Sequence, residues 1–188
     1  MPASPLYCKT TVLRPVRPTD AEFILSLRLD PDIGRHLSKT DPDVDLQRAW
    51  ITRYGDREEA GTEYYYIIEN PADHAIGTVR IYDFQGPSFA WGSWIIKRGS
   101  PLLVAIGSAL RVYDFAFYDL GFTEAHLEVR RENRTAFAFH RRFGAEITHS
   151  DEIDHFLRIT RDSYESVRPR YARAIGATTP DNWPLSQP

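Results

Sequence analysis

Apolar residues follow two periods along this chain, and the changes of period divide predicted helices from predicted strands. A spacing of three or four residues predicts helices that begin at Thr19 or Asp20 and at Asp43 or Asp45, and helices over residues 100–120, 134–143 and 162–174. Alternating or continuous apolar runs predict strands at residues 7–16, 64–69, 75–84, 89–96, 125–129, 145–150 and 154–160. A loop is expected at residues 33–42, and a loose tail over residues 176–188. The order of these elements predicts one α+β domain over residues 1–175.

Short turns indicate how the predicted sheet is paired. Asn70-Pro71 separates the strands at residues 64–69 and 75–84, and Gly86-Pro87 precedes the strand at residues 89–96. Strands joined by such short links pair antiparallel. The central sheet is therefore expected to be largely antiparallel.

The helix predicted over residues 100–120 has the clearest boundaries. Ser100 is a good N-cap residue, Pro101 suits the first helical position, and Gly121 is a natural stop. One apolar stripe runs along the helix through Leu102, Ile106, Ala109, Tyr113, Ala116 and Leu120. Such a stripe predicts a helix that packs one face on the sheet.

Composition and charge place the chain among ordinary globular proteins and exclude several classes. Its 188 residues are 42% hydrophobic and 26% charged, and the net charge of -3 offers no broad basic surface for nucleic acid. No apolar run reaches membrane-spanning length, and the N-terminal residues lack a signal-peptide pattern. Cys8 is the one cysteine, which excludes an internal disulfide and suggests a reducing compartment. A cytoplasmic enzyme or binding domain is expected.

The segment from Ser88 to Ala145 carries the most specific pattern in the chain. An aromatic strand is followed by a turn ending at Ser100-Pro101, a long apolar helix, a short strand, and a second helix between Asn133 and Phe143-Gly144. This order, and the spacing of Asn133 from Phe143-Gly144, resemble the acyl-CoA-binding half of the GNAT N-acyltransferases. The resemblance implies a GNAT-like single domain with helices on both faces of a sheet that is splayed at the strand-turn-helix. It also implies acetyl-CoA as co-substrate.

The start of the long helix offers a seat for a pyrophosphate. The first helical amides, those of Leu102, Leu103 and Val104, have no partner within the helix and lie at the positive end of its dipole. Arg98 could add charge-assisted hydrogen bonds. GNAT members usually have glycines in this turn, where Pro101 and Leu103 stand here. The alternative is a capped core helix that binds no ligand.

The resemblance also assigns residues around the second helix and the central strand. The family's Asn, here Asn133, lines the cofactor arm, and the central strand at Trp94, Ile95 and Ile96 holds that arm and its thioester. Seven residues after the Asn, most members have a Tyr that protonates the departing thiolate, and here that position is His140. Imidazole can supply a proton near neutral pH. The alternative is a core histidine or a helix-end cation, because His140 is expected to face inward.

A general base must remove a proton from the attacking amine. The central strand has no carboxylate, so the candidates lie on neighbouring strands, at Glu69, Asp83 and Glu128. Glu128 lies between Leu127 and Val129 and is expected to face away from them. Glu128 and Asp83 are the catalytic candidates, and for each the competing interpretation is a solvated surface carboxylate.

A metal site is not expected. His149, Asp151, Asp154 and His155 crowd one predicted hairpin. Hairpin turns attract Asp for its backbone conformation, which accounts for the cluster without a metal.

The resemblance implies direct transfer of an acetyl group from acetyl-CoA to a primary amine. The sequence Leu13-Arg14-Pro15 before a Thr-Asp helix start is most similar to the branch of ribosomal-protein N-terminal acetyltransferases, which also contains enzymes for small amines. We favour a small-molecule amine such as a nucleotide-linked amino sugar, because aromatic residues flank the expected groove and the C-terminal segment is basic. The alternatives are a protein N-terminal acetyltransferase and a GNAT-fold binding protein without catalysis. Neither nucleic acid nor membrane is expected as a partner, and a monomer or homodimer is expected.

Overall fold

The computed structural model describes residues 4–72 and 74–176, so the predicted tail beyond Gly176 lies outside the described residues. The strands are β1 (Leu6–Cys8), β2 (Thr11–Pro15), β3 (Tyr64–Glu69), β4 (Ala75–Gln85), β5 (Ser88–Ile96), β6 (Glu124–Arg130), β7 (Glu146–Ser150) and β8 (Asp154–Thr160). The α-helices are α1 (Ala21–Arg28), α2 (Val44–Glu59), α3 (Leu102–Asp114), α4 (Arg134–Arg142) and α5 (Arg161–Ile175). None of these described helices is long and apolar enough to cross a membrane. The bounds confirm most of the predicted elements.

The strands form one sheet in the order β1-β2-β3-β4-β5-β6-β8-β7. Every neighbouring pair is antiparallel except β5 and β6, which run parallel and are joined by α3. A parallel pair needs a long crossover, whereas an antiparallel pair can be closed by a short turn. The structure thus confirms the largely antiparallel sheet that the short turns predicted, and it contains one parallel pair, β5 with β6.

Helices cover both faces of the sheet, so alternate side chains of β3 belong to two different apolar clusters. Tyr65 and Ile67 belong to one apolar cluster, which α1 and α2 complete. Tyr66 and Ile68 belong to a second, larger cluster with α3, α4 and α5. Successive side chains of a strand point to opposite faces, so a strand covered on both sides is apolar throughout. Residues 64–68 are accordingly all buried.

The predicted first strand is a hairpin rather than one strand. Over residues 6–15, β1 and β2 pair antiparallel with Cys8 opposite Thr11. The turn between them is formed by Lys9 and Thr10. Neither of these is Gly, Pro, Asn or Asp, so the usual signal of a turn is missing from the sequence.

The start of α3 also differs from the prediction. The N-cap is Pro101 rather than Ser100, and Pro101 has an extended ψ of 142° and makes no side-chain cap bond. The amide of Val104 donates to the carbonyl oxygen of Pro101 at 2.9 Å. Of the amides predicted to bind a pyrophosphate, that of Val104 is therefore already bonded. A π-helical segment, Phe115–Asp119, continues α3 over most of the remaining predicted length.

A buried charged network joins α3 to α5. Arg168 Nε and Nη2 donate to Asp114 Oδ1 and Oδ2 at 2.7 and 2.9 Å. The Tyr164 hydroxyl donates to Asp114 Oδ1 at 2.8 Å. Arg168 and Asp114 are both buried. A bidentate arginine–carboxylate pair fixes orientation as well as distance, so α5 is held in one position against α3.

Candidate active site

The parallel strands β5 and β6 separate soon after they begin. Their pairing is confined to Ser88 with Glu124 and Phe89 with Ala125, although both strands continue well beyond these residues. Backbone N–H and C=O groups on the facing edges of the separated parts need other partners. The result is a cleft that an extended, amide-containing ligand can enter as an added strand would.

A β-bulge lies in β5 beside this cleft. The register between β4 and β5 shifts here, so that Ser93 and Trp94 lie opposite Val79 alone. Ser93 has a φ of 46°, in the left-handed region that non-glycine residues seldom adopt. Thr78 Oγ1 donates a hydrogen bond to the Ser93 carbonyl oxygen at 2.8 Å. Because a bulge bends its strand and redirects its backbone groups, this bond from β4 holds the edge of the cleft in one geometry.

The bulge, β6 and α4 border a cavity of about 430 Å³, which we call the site cavity. Predicted site residues that line it are Trp94, Glu128, Asn133 and His140. The remaining predicted residues do not line it: Asp83, Ile95, Ile96, Arg98, Leu102, Leu103 and Val104. A cavity of this size suits a small-molecule ligand.

The site cavity also contains residues that the sequence did not single out. Arg28 comes from the end of α1, Ser38 from the segment before α2, and Arg80 from β4. Only Arg80 carried a signal in the sequence, because it is a charged residue between Val79 and Ile81, both fully buried. Arg28 looked like an ordinary cation in the last turn of a helix.

His140 lies deep in the site cavity and is 7% exposed. The indoles of Trp91 and Trp94 pack against it, with ring centroids 5.1 and 6.4 Å from the imidazole. The inward orientation that the sequence predicted is confirmed. Its Nδ1 has no hydrogen-bond partner among the described residues, and burial lowers the pKa of His140 to about 4. The imidazole is therefore neutral near pH 7.

Asn133 lies at the start of α4 and serves as its N-cap. Its Oδ1 accepts a hydrogen bond from the Ala136 amide at 3.1 Å. This bond fixes the side chain, and it uses the carboxamide oxygen and not the nitrogen. The Asn133 side-chain NH₂ is thus left to donate to a ligand in the site cavity.

Leu127, Glu128 and Val129 all border the site cavity, but the side chains of Leu127 and Val129 are buried, whereas that of Glu128 is exposed. The predicted outward orientation is confirmed. Although Glu128 is exposed, partial desolvation raises its pKa, and the neighbouring Asp154 raises it further. Asp154 is itself buried and accepts a hydrogen bond from Arg130 Nη1 at 3.1 Å. A carboxylate with a raised pKa is a stronger base, so Glu128 is suited to take a proton from an amine.

Asp83 lies in an adjoining cavity of about 410 Å³. His126 links it to β5, since Nε2 lies 3.1 Å from Asp83 Oδ2 and Nδ1 lies 2.7 Å from Ser88 Oγ. Hydrogen bonds with His126 and with Gln85 lower the pKa of Asp83. A carboxylate with a lowered pKa is a weaker base, so the structure favours Glu128 over Asp83.

A third cavity, of about 1090 Å³, lies at the start of α3 and has a cationic lining. Its cations are Lys9, Lys97, Arg98 and Arg173. Arg98 Nη2 lies 2.8 Å from Asp32 Oδ2, and both side chains are largely exposed. An exposed pair of this kind is weak, so Asp32 can be exchanged for another anion. The cations and the positive end of the α3 dipole together suit a phosphate group.

Ile95 and Ile96 occupy the end of β5, beyond the bulge. They pair with Thr78 and Gly77 of β4, and Ile95 is buried. Their side chains are absent from the lining of the site cavity. Any part that they take in binding a ligand would therefore fall to their backbone.

Known protein families and solved structures resemble most of this chain. A family model described as an acetyltransferase (GNAT) domain matches residues 11–146. Among solved structures, apo FdhC, described as a nucleotide-linked sugar GNAT, is similar with a TM-score of 0.83 and 39% sequence identity, over 92% of this chain and 99% of FdhC. No curated protein sequence matches this chain.

More distant structures share the fold. A GNAT-family acetyltransferase from Bacillus anthracis has a TM-score of 0.72 and 10% identity, over 85% of this chain and 99% of its own. The spermidine N-acetyltransferase from Vibrio cholerae, in complex with CoA and spermine, has a TM-score of 0.70 and 18% identity, over 84% and 99% of the two chains. At these identities the likeness concerns the fold alone.

Proposed function

Because the chain belongs to the GNAT acetyltransferase family, as an N-acetyltransferase that uses acetyl-CoA, we propose that its acceptor is the primary amine of a nucleotide-linked amino sugar. The observation that carries this proposal is the 39% identity to FdhC over nearly the whole of both chains. Because the similarity spans 92% of this chain and 99% of FdhC, it supports a shared class of acceptor as well as a shared fold. The small site cavity and its aromatic walls agree with a compact sugar acceptor.

The residues present fit the donor. We assign the acyl-bearing arm to the cleft between β5 and β6, because the unpaired strand edges there can bond the arm's amides. Asn133 offers its side-chain NH₂ at one side of this cleft. The phosphates are assigned to the cationic cavity at the start of α3, where Arg98 and the amides of Leu102 and Leu103 can bind them.

The proposed reaction is a direct transfer. The amine nitrogen attacks the thioester carbon, a C–N bond forms, and the C–S bond breaks as the thiolate departs. Backbone N–H groups at the bulge, near Trp94, stabilise the negative charge that develops on the carbonyl oxygen. Glu128 accepts the proton that the amine releases.

His140 assists the departure of the thiolate as a neutral imidazole, whereas the resemblance implied that it protonates the sulfur. An imidazolium would protonate the sulfur directly, but burial keeps His140 uncharged near neutral pH. We assign its neutral N–H to a hydrogen bond that stabilises the departing sulfur. The proton that converts the released thiolate into the thiol comes from solvent.

Release of free thiol from acetyl-CoA tests the acceptor class. The panel holds nucleotide-linked amino sugars, the same amino sugars without the nucleotide, polyamines, and peptides with free N-termini. We expect turnover only with a nucleotide-linked amino sugar. Turnover with a polyamine or a peptide but with no nucleotide-linked sugar would overturn the proposal.

A further inference from the structure

A fourth cavity, of about 530 Å³, lies between α1, α2 and the segment that joins them. Arg28, Ser38 and Arg80 line both this cavity and the site cavity, so the two adjoin. We propose that this cavity binds the nucleoside diphosphate of the acceptor while the amino sugar occupies the site cavity. The inference rests on the proposed function and adds to it the place where the nucleotide is recognised. We call it the basic–aromatic cavity after its lining.

The lining of the basic–aromatic cavity is strongly cationic. Its charged lining consists of Arg28, Lys39, Arg53, Arg80 and a single carboxylate, Asp41. The chain as a whole has a net charge of -3, so the excess of cations here is local. A diphosphate is a ligand whose charge matches such a surface.

Arg28 is a cation without a carboxylate partner. Its Nε donates to Thr40 Oγ1 at 2.6 Å, and its Nη2 donates to Ser38 O and Oγ at 3.1 and 2.9 Å. All these acceptors are neutral, and no ion pair joins Arg28 to a carboxylate within the described part of the chain. Burial lowers the pKa of Arg28, and the like charge of Arg80 lowers it further. A phosphate bound at this point would supply the missing negative charge.

Arg80 has a different part, because its charge is already balanced. Its Nη2 donates to Glu63 Oε2 at 2.7 Å. Its guanidinium lies 5.4 Å from the ring centroid of Trp50 and 5.8 Å from that of Tyr65. Arg80 therefore supports the aromatic wall, and Arg28 is the arginine at the junction whose charge no carboxylate balances.

The same cavity also has an apolar and aromatic part to its lining. Leu46 and Trp50 lie one turn apart on α2 and both face the cavity, and Leu46 is 56% exposed. Trp50 packs against Tyr54 and Tyr65, with ring centroids 5.1 and 6.0 Å away, so its indole is held in place. A flat base stacked on this wall would cover apolar surface that otherwise faces water.

The arrangement follows the order of groups in the ligand. The site cavity would take the sugar, Arg28 at the junction would take the diphosphate, and the Trp50 wall would take the base. Inorganic phosphate or pyrophosphate could satisfy Arg28 but would make no use of Leu46 and Trp50. The base therefore distinguishes a nucleotide from a simple anion.

Titration of UDP, dTDP and inorganic pyrophosphate into the full chain by calorimetry tests the location. We expect a nucleoside diphosphate to bind more tightly than pyrophosphate and to compete with the acceptor. Arg28→Met should raise the Kd of the nucleoside diphosphate by about 10- to 100-fold, the loss typical of a charge-assisted bond. Trp50→Leu should weaken the nucleoside diphosphate but leave pyrophosphate unchanged, because only the base stacks on the indole.

Arg53→Met and Arg57→Met test the same location at exposed positions, where a substitution is not expected to disturb folding. Arg28→Met also removes the bonds to Ser38 and Thr40, so it could disturb the segment before α2. Arg53 is exposed and lines the cavity, and Arg53→Met should raise the same Kd by about 3- to 10-fold. Arg57 lies one turn further along α2, outside the lining, and Arg57→Met should leave the Kd unchanged.

The outcomes separate this inference from the proposed function. If nucleotide-linked amino sugars are acetylated, and the Arg28, Arg53 and Trp50 variants keep the wild-type Kd and acceptor KM, the location is wrong and the acceptor class stands. Equal affinity for pyrophosphate and nucleoside diphosphate, with no effect of Trp50→Leu, would reduce the cavity to an anion site and also overturn the inference. If only unlinked amines are acetylated and no nucleoside diphosphate binds, both proposals fail.

Discussion

Thr78 Oγ1 donates a 2.8 Å hydrogen bond to the carbonyl oxygen of Ser93, the residue whose left-handed φ of 46° forms the bulge in β5. The bond crosses from β4 to β5 at a point where the regular pairing of the two strands is interrupted. A strained backbone conformation persists only where its surroundings stabilise it. Thr78 thus helps to set the direction of the backbone groups that border the site cavity.

Thr78→Val tests this relationship, because valine keeps the shape of threonine and removes its hydroxyl. We expect a loss of about 1 kcal/mol in the free energy of unfolding. We also expect a fall in kcat on the order of 10-fold, because backbone donors to the oxyanion act only in the correct geometry. Thr78→Ser should retain most of the activity.

Thr11→Val is the matched control for this variant. Thr11 is equally buried, and its Oγ1 donates to the Glu69 carbonyl oxygen at 2.7 Å, on a different strand pair. It should lose similar stability but keep the wild-type kcat. If both variants lower kcat alike, the bulge bond has no special part in activity.

His140 should make the stability of the protein depend on pH. Its pKa falls from an ordinary 6.5 to about 4 because it is buried. Between these values the unfolded chain binds a proton that the folded chain does not, so the free energy of unfolding falls as the pH falls. Urea unfolding of the wild type should lose about 2 kcal/mol from this group between pH 7 and pH 5. His140→Gln should lose correspondingly less, and an unchanged slope would show that His140 is not buried as described.

The role of His140 in turnover is tested separately. His140→Ala should lower kcat by about 10- to 100-fold if its N–H stabilises the departing sulfur. The Kd for CoA, measured by calorimetry, should stay near the wild-type value. His140→Tyr should retain activity if a hydroxyl can reach the same sulfur. A normal kcat in the Ala variant would leave His140 with a packing role only.

Glu128→Gln should lower kcat/KM by about 100-fold or more, because the amine then has no base. The wild-type rate should fall as the pH falls through the raised pKa of Glu128, since only the carboxylate accepts a proton. The residual activity of Glu128→Gln should not show this fall of the rate at low pH. Glu124→Gln is the control, because Glu124 lies on the same strand and face as Glu128 but outside the site cavity. This variant should keep the wild-type kcat/KM and the wild-type fall of the rate at low pH.

Substitutions at Arg98 and at Asp32 should change the affinity for CoA in opposite directions. Arg98→Glu should weaken CoA binding by at least about 10-fold, because attraction for phosphate becomes repulsion. Asp32→Asn should tighten binding slightly, because it frees Arg98 from its exposed ion pair. Calorimetry with CoA measures both variants. Unchanged affinity in both would place the phosphates away from Arg98.

Much of the fold is determined locally and could be predicted from the sequence. The period of the apolar residues placed the elements of the domain, and the turn residues around Asn70-Pro71 and Gly86-Pro87 set the antiparallel pairing of β3, β4 and β5. The same periods oriented His140 inward and Glu128 outward. These features depend on residues within a few positions of one another.

Other features exist only when distant segments meet. The bulge at Ser93 is a mismatch in register between two strands, so it has no counterpart in the sequence of either one. The number of free amides at the start of α3 depends on which carbonyl the Val104 amide reaches. Asp83 lies outside the site cavity, where it contacts His126 of β6.

The positive charge where the site cavity meets the basic–aromatic cavity is the clearest feature that the sequence alone does not reveal. Arg28 and Arg80 are separated by 52 positions, in a helix and a strand that each look ordinary alone. The sequence by itself determined the elements, their order and the faces of their side chains, because these follow from short-range periodicity. Only the tertiary structure decided which cations share a cavity and which lack a counter-ion, because burial and electrostatic partners depend on segments that packing brings together.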